Sequence, residues 1–127
     1  MVPAQSSAGP RSRTTQRHEE WDVPQISSYL NETIGPKLVA YMLGKSTQTV
    51  ARWAAGTQRP PQPDVESSLR GIFQIVQTLI EVDSRHVARA WLIGMNPQLD
   101  DRSPAEVIAD GDLRQVMTAA RAFASSG

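Results

Sequence analysis

The sequence contains no cysteine, only two histidines, and few aromatic residues, which make up 6% of its 127 residues. Without cysteine there can be no disulfide, no thiolate metal site and no cysteine nucleophile. No apolar run approaches the roughly 20 residues that a membrane-spanning helix needs. The N-terminal stretch MVPAQSSAGPRSRTTQRHEE lacks the apolar segment of a secretory signal. We therefore expect a cytoplasmic protein with no membrane contact.

Neither the histidines nor the acidic residues form a catalytic pattern. His18 lies in the polar N-terminal stretch and His86 at a predicted helix start, and neither has a nucleophile or metal-ligand partner at a useful spacing. Asp100 and Asp101 are adjacent, so we expect their side chains to point apart. The sequence also lacks a glycine-rich phosphate loop. We therefore expect no enzymatic activity, no catalytic residues, no metal site and no cofactor.

Charge is balanced over the whole chain but not along it. The 13 cationic and 13 acidic residues give a formal net charge of zero. Residues 33–63 nevertheless contain four cations and no acid, whereas residues 64–127 contain more acids than cations. This asymmetry favours an anionic partner for the middle of the chain and a different partner elsewhere.

Apolar residues recur at helical spacing along most of the chain, and no alternating β pattern occurs. The pattern predicts an all-α fold of about seven helices without internal repeats. Residues 1–20 contain too few apolar residues to offset the entropy of ordering, so we predict a disordered tail there. Residues 21–60 are predicted to form a helix-turn-helix region, and residues 64–127 a second helical region.

Several helix boundaries are marked by capping residues. Ser46, the Asp83-Ser84 pair and Ser103 are predicted N-caps, and Asp64 is predicted to cap a long helix over residues 64–82. Gly71 lies in the middle of that helix, which predicts a close approach by another helix. The apolar stripe of the long helix suits either the core of one chain or a dimer interface, and the pattern alone favours neither.

The stretch VAYMLGKSTQTVARWAAG, residues 39–56, has the spacing of a helix-turn-helix unit. Its first helix offers a small residue, Ala40, where the two helices cross, and Gly44 suits the left-handed turn that follows. Val50 and Trp53 lie about one turn apart, so they can anchor the second helix and leave its other face free.

The free face of that second helix carries candidate DNA contacts. Thr47, Gln48 and Arg52 are predicted to point outward, and glutamine and arginine can read adenine and guanine in the major groove. Lys45 and Arg59 flank the helix at positions suited to phosphate contacts. With so few cations one copy would bind weakly, so binding to operator DNA predicts a homodimer. The alternative is a helical hairpin whose polar face is only solvated.

The stretch AWLIGMNPQLDDRSPAEVIADGD resembles the C-terminal toxin-binding domain of the Xre/MbcA/ParS antitoxins. The family pattern is a tryptophan, a turn such as Asn-Pro, a leucine, a Ser-Pro pair and a helix that ends in glycine. The matching residues, in order, are Trp91, Asn96, Pro97, Leu99, Ser103, Pro104 and Gly111. With the Xre-like helix-turn-helix upstream, the resemblance covers roughly residues 22–125.

The resemblance implies the antitoxin of a type II toxin–antitoxin pair, whose usual partner is a RES-domain toxin that destroys NAD+. NAD+ would be the substrate of the toxin and not a ligand of this chain. In that family the C-terminal region covers the entrance of the toxin's active site, the antitoxin tends to form a homodimer, and the complex often represses its own operon. The residues expected to contact the toxin are Asn96, Asp100, Asp101, Arg102, Arg114, Arg121 and Phe123.

Two alternatives to the antitoxin interpretation remain open at this point. The chain would be a stand-alone transcriptional repressor if its second half served only for dimerisation or for sensing a small ligand. It would be a protein-binding adaptor if its helix-turn-helix no longer bound DNA. Within the antitoxin interpretation, the spacing of Phe123 from Val116 and Ala120 also fits simple core packing. Trp91 and Pro104 are expected to be structural, because one lies on the inward stripe and the other fixes a helix start.

Overall fold

The computed structural model describes residues 21–126, and this part of the chain folds into seven α-helices with no β-strand. The helices are α1 (Val23–Ile34), α2 (Pro36–Leu43), α3 (Thr47–Ala55), α4 (Pro63–Ile80), α5 (Arg85–Ile93), α6 (Pro104–Ala109) and α7 (Leu113–Ser126), with a 3-10 turn at Pro97–Leu99. The predicted all-α fold of about seven helices is therefore confirmed. The predicted tail, residues 1–20, lies outside the described residues.

Local capping chemistry fixes most of the helix starts. The Ser46 hydroxyl accepts a hydrogen bond from the Thr49 amide at 3.0 Å, and Ser84 and Ser103 cap α5 and α6 in the same way. The prediction that Asp64 caps the long helix was wrong. That helix begins one residue earlier, at Pro63, because the proline ring holds the backbone angle of a first helical turn and lacks the N–H that would need a partner.

Helix α4 runs through the middle of the apolar core. It packs against α1, α5 and α7. Its core side chains are each at most 1% exposed: Leu69, Ile72, Phe73, Ile75, Val76 and Leu79. The apolar stripe of α4 is therefore buried inside a single chain, which decides between the two roles that the sequence left open.

The close helix packing predicted at Gly71 is present between α4 and α7. A Cβ atom on Gly71 would lie 3.1 Å from Leu113 Cδ1, closer than ordinary van der Waals contact. The bare glycine backbone therefore lets the first turn of α7 approach α4.

A proline-rich segment, residues 60–63, joins α3 to α4, and the helices before and after it share one core. Helix α2 packs against α6, and α1 packs against α4 and α5. The Arg89 side chain of α5 donates a hydrogen bond from Nε to the carbonyl of Ile34 at the end of α1, at 3.1 Å. Over residues 21–126, no helix combines the length and apolar character required to cross a membrane.

Candidate partner-binding surfaces

The α2–α3 hairpin has each local feature that the helix-turn-helix pattern predicts. Ala40 of α2 is buried, α2 packs against α3, and Val50 and Trp53 on the inner face of α3 are fully buried. Gly44 adopts the left-handed conformation with φ of 65°, and its N–H bonds back to the last turn of α2. The hairpin is thus fixed by its inner face, which leaves the outer face of α3 available to a partner.

The outer face of α3 brings together three of the five candidate DNA contacts. Thr47, Gln48 and Arg52 are all exposed. Lys45 is half-buried in the turn before the helix. Arg59 is exposed but lies apart from this face, because it lines an open pocket that also contains Asp22 and Glu66. Arg59 therefore shares a pocket with two carboxylates, whereas α3 itself contains no acidic residue.

The segment between α5 and α6, residues 94–103, forms a closed loop that we call the Met95 loop. The amide of Asn96 donates to the carbonyl of Arg102 at 3.1 Å, and the amide of Asp101 donates back to the carbonyl of Asn96 at 2.9 Å. The Asn96 side chain accepts from the amide of Gln98 at 2.9 Å. Leu99 anchors the loop in the core with 1% of its surface exposed. Asn96 is therefore a structural element of the loop as well as a candidate contact.

The charged candidates of the Met95 loop divide into paired and unpaired groups. The Arg102 guanidinium forms an ion pair with Asp110 at the end of α6 and lies 3.6 Å from Glu106. The hydrogen bond to Asp110 raises the pKa of Arg102 further above its ordinary value. Asp100 and Asp101 are exposed, and both adopt left-handed backbone angles, with φ of 58° and 64°. The loop thus holds Arg102 against α6 and presents the two carboxylates to solvent.

The candidates on α7 lie on its outer side and near its end. Arg114 and Arg121 are seven residues apart, so they share one helix face, and both are exposed. Phe123 is half-buried, with its ring centroid 6.0 Å from that of Trp91 on α5. Phe123 therefore contributes to packing while part of its ring remains open to a partner.

The structure also exposes apolar side chains that the sequence did not single out. Met95 is 80% exposed and Ile93 is 50% exposed, at the start of the Met95 loop and the end of α5. Helical periodicity predicts the face on which a residue lies only within a helix. Because α5 ends at Ile93, the periodicity carries no information about Met95. No group of three or more metal-ligating side chains occurs within residues 21–126.

Sequence comparison places the chain among known antitoxins. No protein-family model matches it. The mycobacterial cidal antitoxin MbcA of Mycobacterium bovis and that of Mycobacterium tuberculosis are each 33% identical to it over 86 residues, which covers 68% of this chain and 75% of the relative. The chain belongs to the MbcA family of antitoxins. This relationship confirms the resemblance seen in the C-terminal motif.

The MbcA likeness extends to three dimensions. A chain in the crystal structure of the M. tuberculosis MbcT–MbcA toxin–antitoxin complex superposes on this structure with a TM-score of 0.69 and 30% sequence identity. The match covers 81% of this chain and 94% of that chain. A match over 81% of the chain is long enough to span most of the helices in residues 21–126. The MbcA-type fold therefore carries both sets of candidate contacts, and their binding roles remain predictions.

Proposed function

We propose that this chain is a type II antitoxin that binds and neutralises a RES-domain toxin, whose reaction is the destruction of NAD+. The observation that carries the proposal is the similarity to a solved toxin–antitoxin complex over most of the chain. The chain acts in the cytoplasm as a homodimer within the complex. It needs no cofactor and performs no catalysis of its own, because NAD+ is the substrate of its partner.

The C-terminal region is the part proposed to cover the entrance of the toxin's active site. Arg114 and Arg121 share the exposed face of α7. The carbonyl of Arg114 accepts a hydrogen bond from the Thr118 hydroxyl, but neither guanidinium forms a hydrogen bond or ion pair within residues 21–126. Their donors are therefore available to a partner. A guanidinium at the entrance of a dinucleotide cleft can pair with a carboxylate of the toxin or occupy the position of a substrate phosphate.

Co-expression tests this role directly. The RES-domain protein encoded beside the gene of this chain is expressed in a bacterial host, alone and with the chain, and growth and cellular NAD+ are measured. We expect the toxin alone to deplete NAD+ and the unchanged chain to restore it. Arg121→Ala and a chain that ends after Ala122 should restore NAD+ less well, because each removes proposed contacts at the end of α7.

Arg85→Ala is the matched control, since Arg85 is also an exposed arginine but lies at the start of α5, outside the proposed interface. It should neutralise the toxin as well as the unchanged chain does. If Arg121→Ala and the shortened chain both neutralised fully, the placement of the contacts on α7 would be wrong. If the unchanged chain left NAD+ depleted, the antitoxin proposal itself would fail.

We further propose that the chain represses its own operon through the α2–α3 hairpin. The supporting observation is the exposed, acid-free face of α3 with Gln48 and Arg52. A homodimer would place two such helices in successive major grooves, one helical turn or about 34 Å apart. The helix N-terminus at Thr47 adds a partial positive charge that favours a nearby phosphate.

Binding to the operon's own promoter DNA tests this second role. Affinity should fall steeply between about 50 and 200 mM salt, because phosphate contacts release counterions. Arg52→Glu should abolish promoter binding, and Arg85→Glu, which reverses the charge of an exposed arginine elsewhere, should retain it. Promoter binding that survived Arg52→Glu would contradict the placement of the reading helix. A chain that bound the promoter but did not protect against the toxin would be a stand-alone repressor.

A further inference from the structure

We infer that the Met95 loop is the anchoring element of the toxin interface, with the Met95 side chain inserted into an apolar pocket of the toxin that is rimmed by lysine or arginine. The inference rests on the proposed antitoxin function and names a contact that the sequence did not identify. It follows from the exposure of Met95, the rigidity of the loop and the charge around it.

Met95 is the most exposed large apolar side chain in residues 21–126. It is 80% exposed, compared with 52% for Tyr41, 50% for Ile93 and 44% for Val82. A side chain this open gains nothing from the fold of its own chain, so almost all of its apolar surface remains for a partner to bury. Methionine is also flexible and polarizable, which suits it to a pocket of irregular shape.

The loop that presents Met95 is held in place before any partner arrives. The hydrogen bond from the amide of Asn96 to the carbonyl of Arg102 closes the loop immediately after Met95, and the amide of Arg102 donates to the carbonyl of Leu99 at 3.1 Å. Leu99 itself is buried. Because the backbone is already ordered, binding costs little conformational entropy at this site, which is the usual property of an anchor residue.

Arg102 acts as a positioning residue for the loop. Its guanidinium pairs with Asp110 and approaches Glu106, both on or just after α6. This ion pair adds a side-chain link to the backbone connection between the end of the loop and α6. Asp100 and Asp101, between Leu99 and Arg102, are left exposed without a hydrogen bond or ion pair from their side chains in the described part of the chain.

The charge of the Met95 loop favours a toxin over a second copy of this chain as the partner that binds the loop. A two-fold dimer formed through the loop would bring the same patch onto itself and place the carboxylates of two copies face to face. For the proposed toxin, which binds an anionic dinucleotide, we instead expect cationic groups near the active site. Those groups attract the carboxylates of Asp100 and Asp101 while an adjacent apolar pocket receives Met95.

Titration calorimetry of the full chain against the purified RES-domain protein tests the inference. Met95→Ala should raise Kd at least about tenfold, as expected for loss of an anchor side chain. Met95→Leu, which keeps a similar apolar volume, should bind within about threefold of the unchanged chain. The matched control is Val82→Ala, since Val82 is also exposed and apolar but lies between α4 and α5; it should leave Kd unchanged.

Arg102→Ala separates positioning from contact. It should weaken toxin binding and also accelerate amide hydrogen exchange in the free chain at Asp101 and Arg102, because it removes the link to α6. Asp100→Asn should slow association and reduce the dependence of the association rate on salt, with little effect on the fold.

Three results would overturn the inference, and they are distinguishable. Equal affinity of Met95→Ala and the unchanged chain would remove Met95 from the interface while leaving the antitoxin function intact. If Met95→Ala lost the homodimer in sedimentation analysis but kept its affinity for the toxin, the partner that binds Met95 would be a second copy of this chain. Failure of the unchanged chain to bind the toxin would overturn the proposed function, and this inference with it.

Discussion

The contact between Gly71 and Leu113 allows one substitution to test how α4 and α7 pack. Gly71→Ala adds a single methyl group in the interior of α4. On helix propensity alone this change should raise the free energy of unfolding by about 1 kcal/mol. The new Cβ would, however, lie 3.1 Å from Leu113 Cδ1 and 3.4 Å from Leu113 Cδ2. Optimal carbon–carbon contacts are about 3.5–4.0 Å, so the leucine has to move by a few tenths of an ångström.

The size of the steric term decides the sign of the net effect. Overpacking a core by one methyl group costs about 1–3 kcal/mol. The low end of that range applies here, because Leu113 is half-buried at the start of α7 and the clashing atoms are the terminal methyl groups of its flexible side chain. The propensity gain and the packing cost therefore nearly cancel, and we expect Gly71→Ala to change stability by less than about 0.5 kcal/mol.

A double-mutant cycle isolates the steric term. In a Leu113→Ala background the clashing methyl groups are absent, so Gly71→Ala should stabilise the chain by about 1 kcal/mol. The measurement is urea unfolding followed by circular dichroism at fixed chain concentration. Ser67→Ala is the control, since Ser67 is exposed on the same helix, and it should have the same effect in both backgrounds. Equal effects of Gly71→Ala in the two backgrounds would refute the close approach.

Two further predictions concern backbone conformation, and urea unfolding measures both. Gly44→Ala should lower the free energy of unfolding by about 1 kcal/mol, because alanine disfavours the left-handed angles there, and Gly44→Asn should cost less. The added Cβ meets no atom within 4 Å, so no packing effect complicates the result. Asp101 has a φ of 64°, so Asp101→Gly should be at least as stable as the unchanged chain. Asp101→Ala should lower the free energy of unfolding by about 1 kcal/mol. Alanine as stable as glycine at either position would contradict the assigned angles.

The helical framework was predictable because its signals are local in the sequence. Ser46 before α3 and the Ser103-Pro104 pair at the start of α6 are recognisable capping patterns, and they mark these helix starts correctly. The wrong prediction of Asp64 as the N-cap of α4 also comes from reading only local signals. Aspartate is a common N-cap, but a proline immediately before it also suits the first turn, and short-range rules do not rank the two.

The surface was less predictable because exposure and ion pairing depend on how loops fold against helices, which helical periodicity does not describe. The sequence marks Arg102 as a charged loop residue, but only the fold shows its guanidinium beside Asp110, eight residues further on. Met95 is an apolar residue that composition alone would place in the core. Its exposure follows from the end of α5 and from Leu99, which occupies the core position of the loop.

The shared core limits which substitutions can separate the proposed toxin binding from the proposed DNA binding. Helix α2 packs against α3, which is the proposed recognition helix, and against α6, which follows the Met95 loop. A substitution in the core, such as at Trp53, is therefore expected to impair both activities through loss of the fold. Arg52 and Met95 are exposed on different elements, so substitutions there leave the core intact. If the two activities reside on separate surfaces of one folded unit, Arg52→Glu should abolish promoter binding alone and Met95→Ala should weaken toxin binding alone.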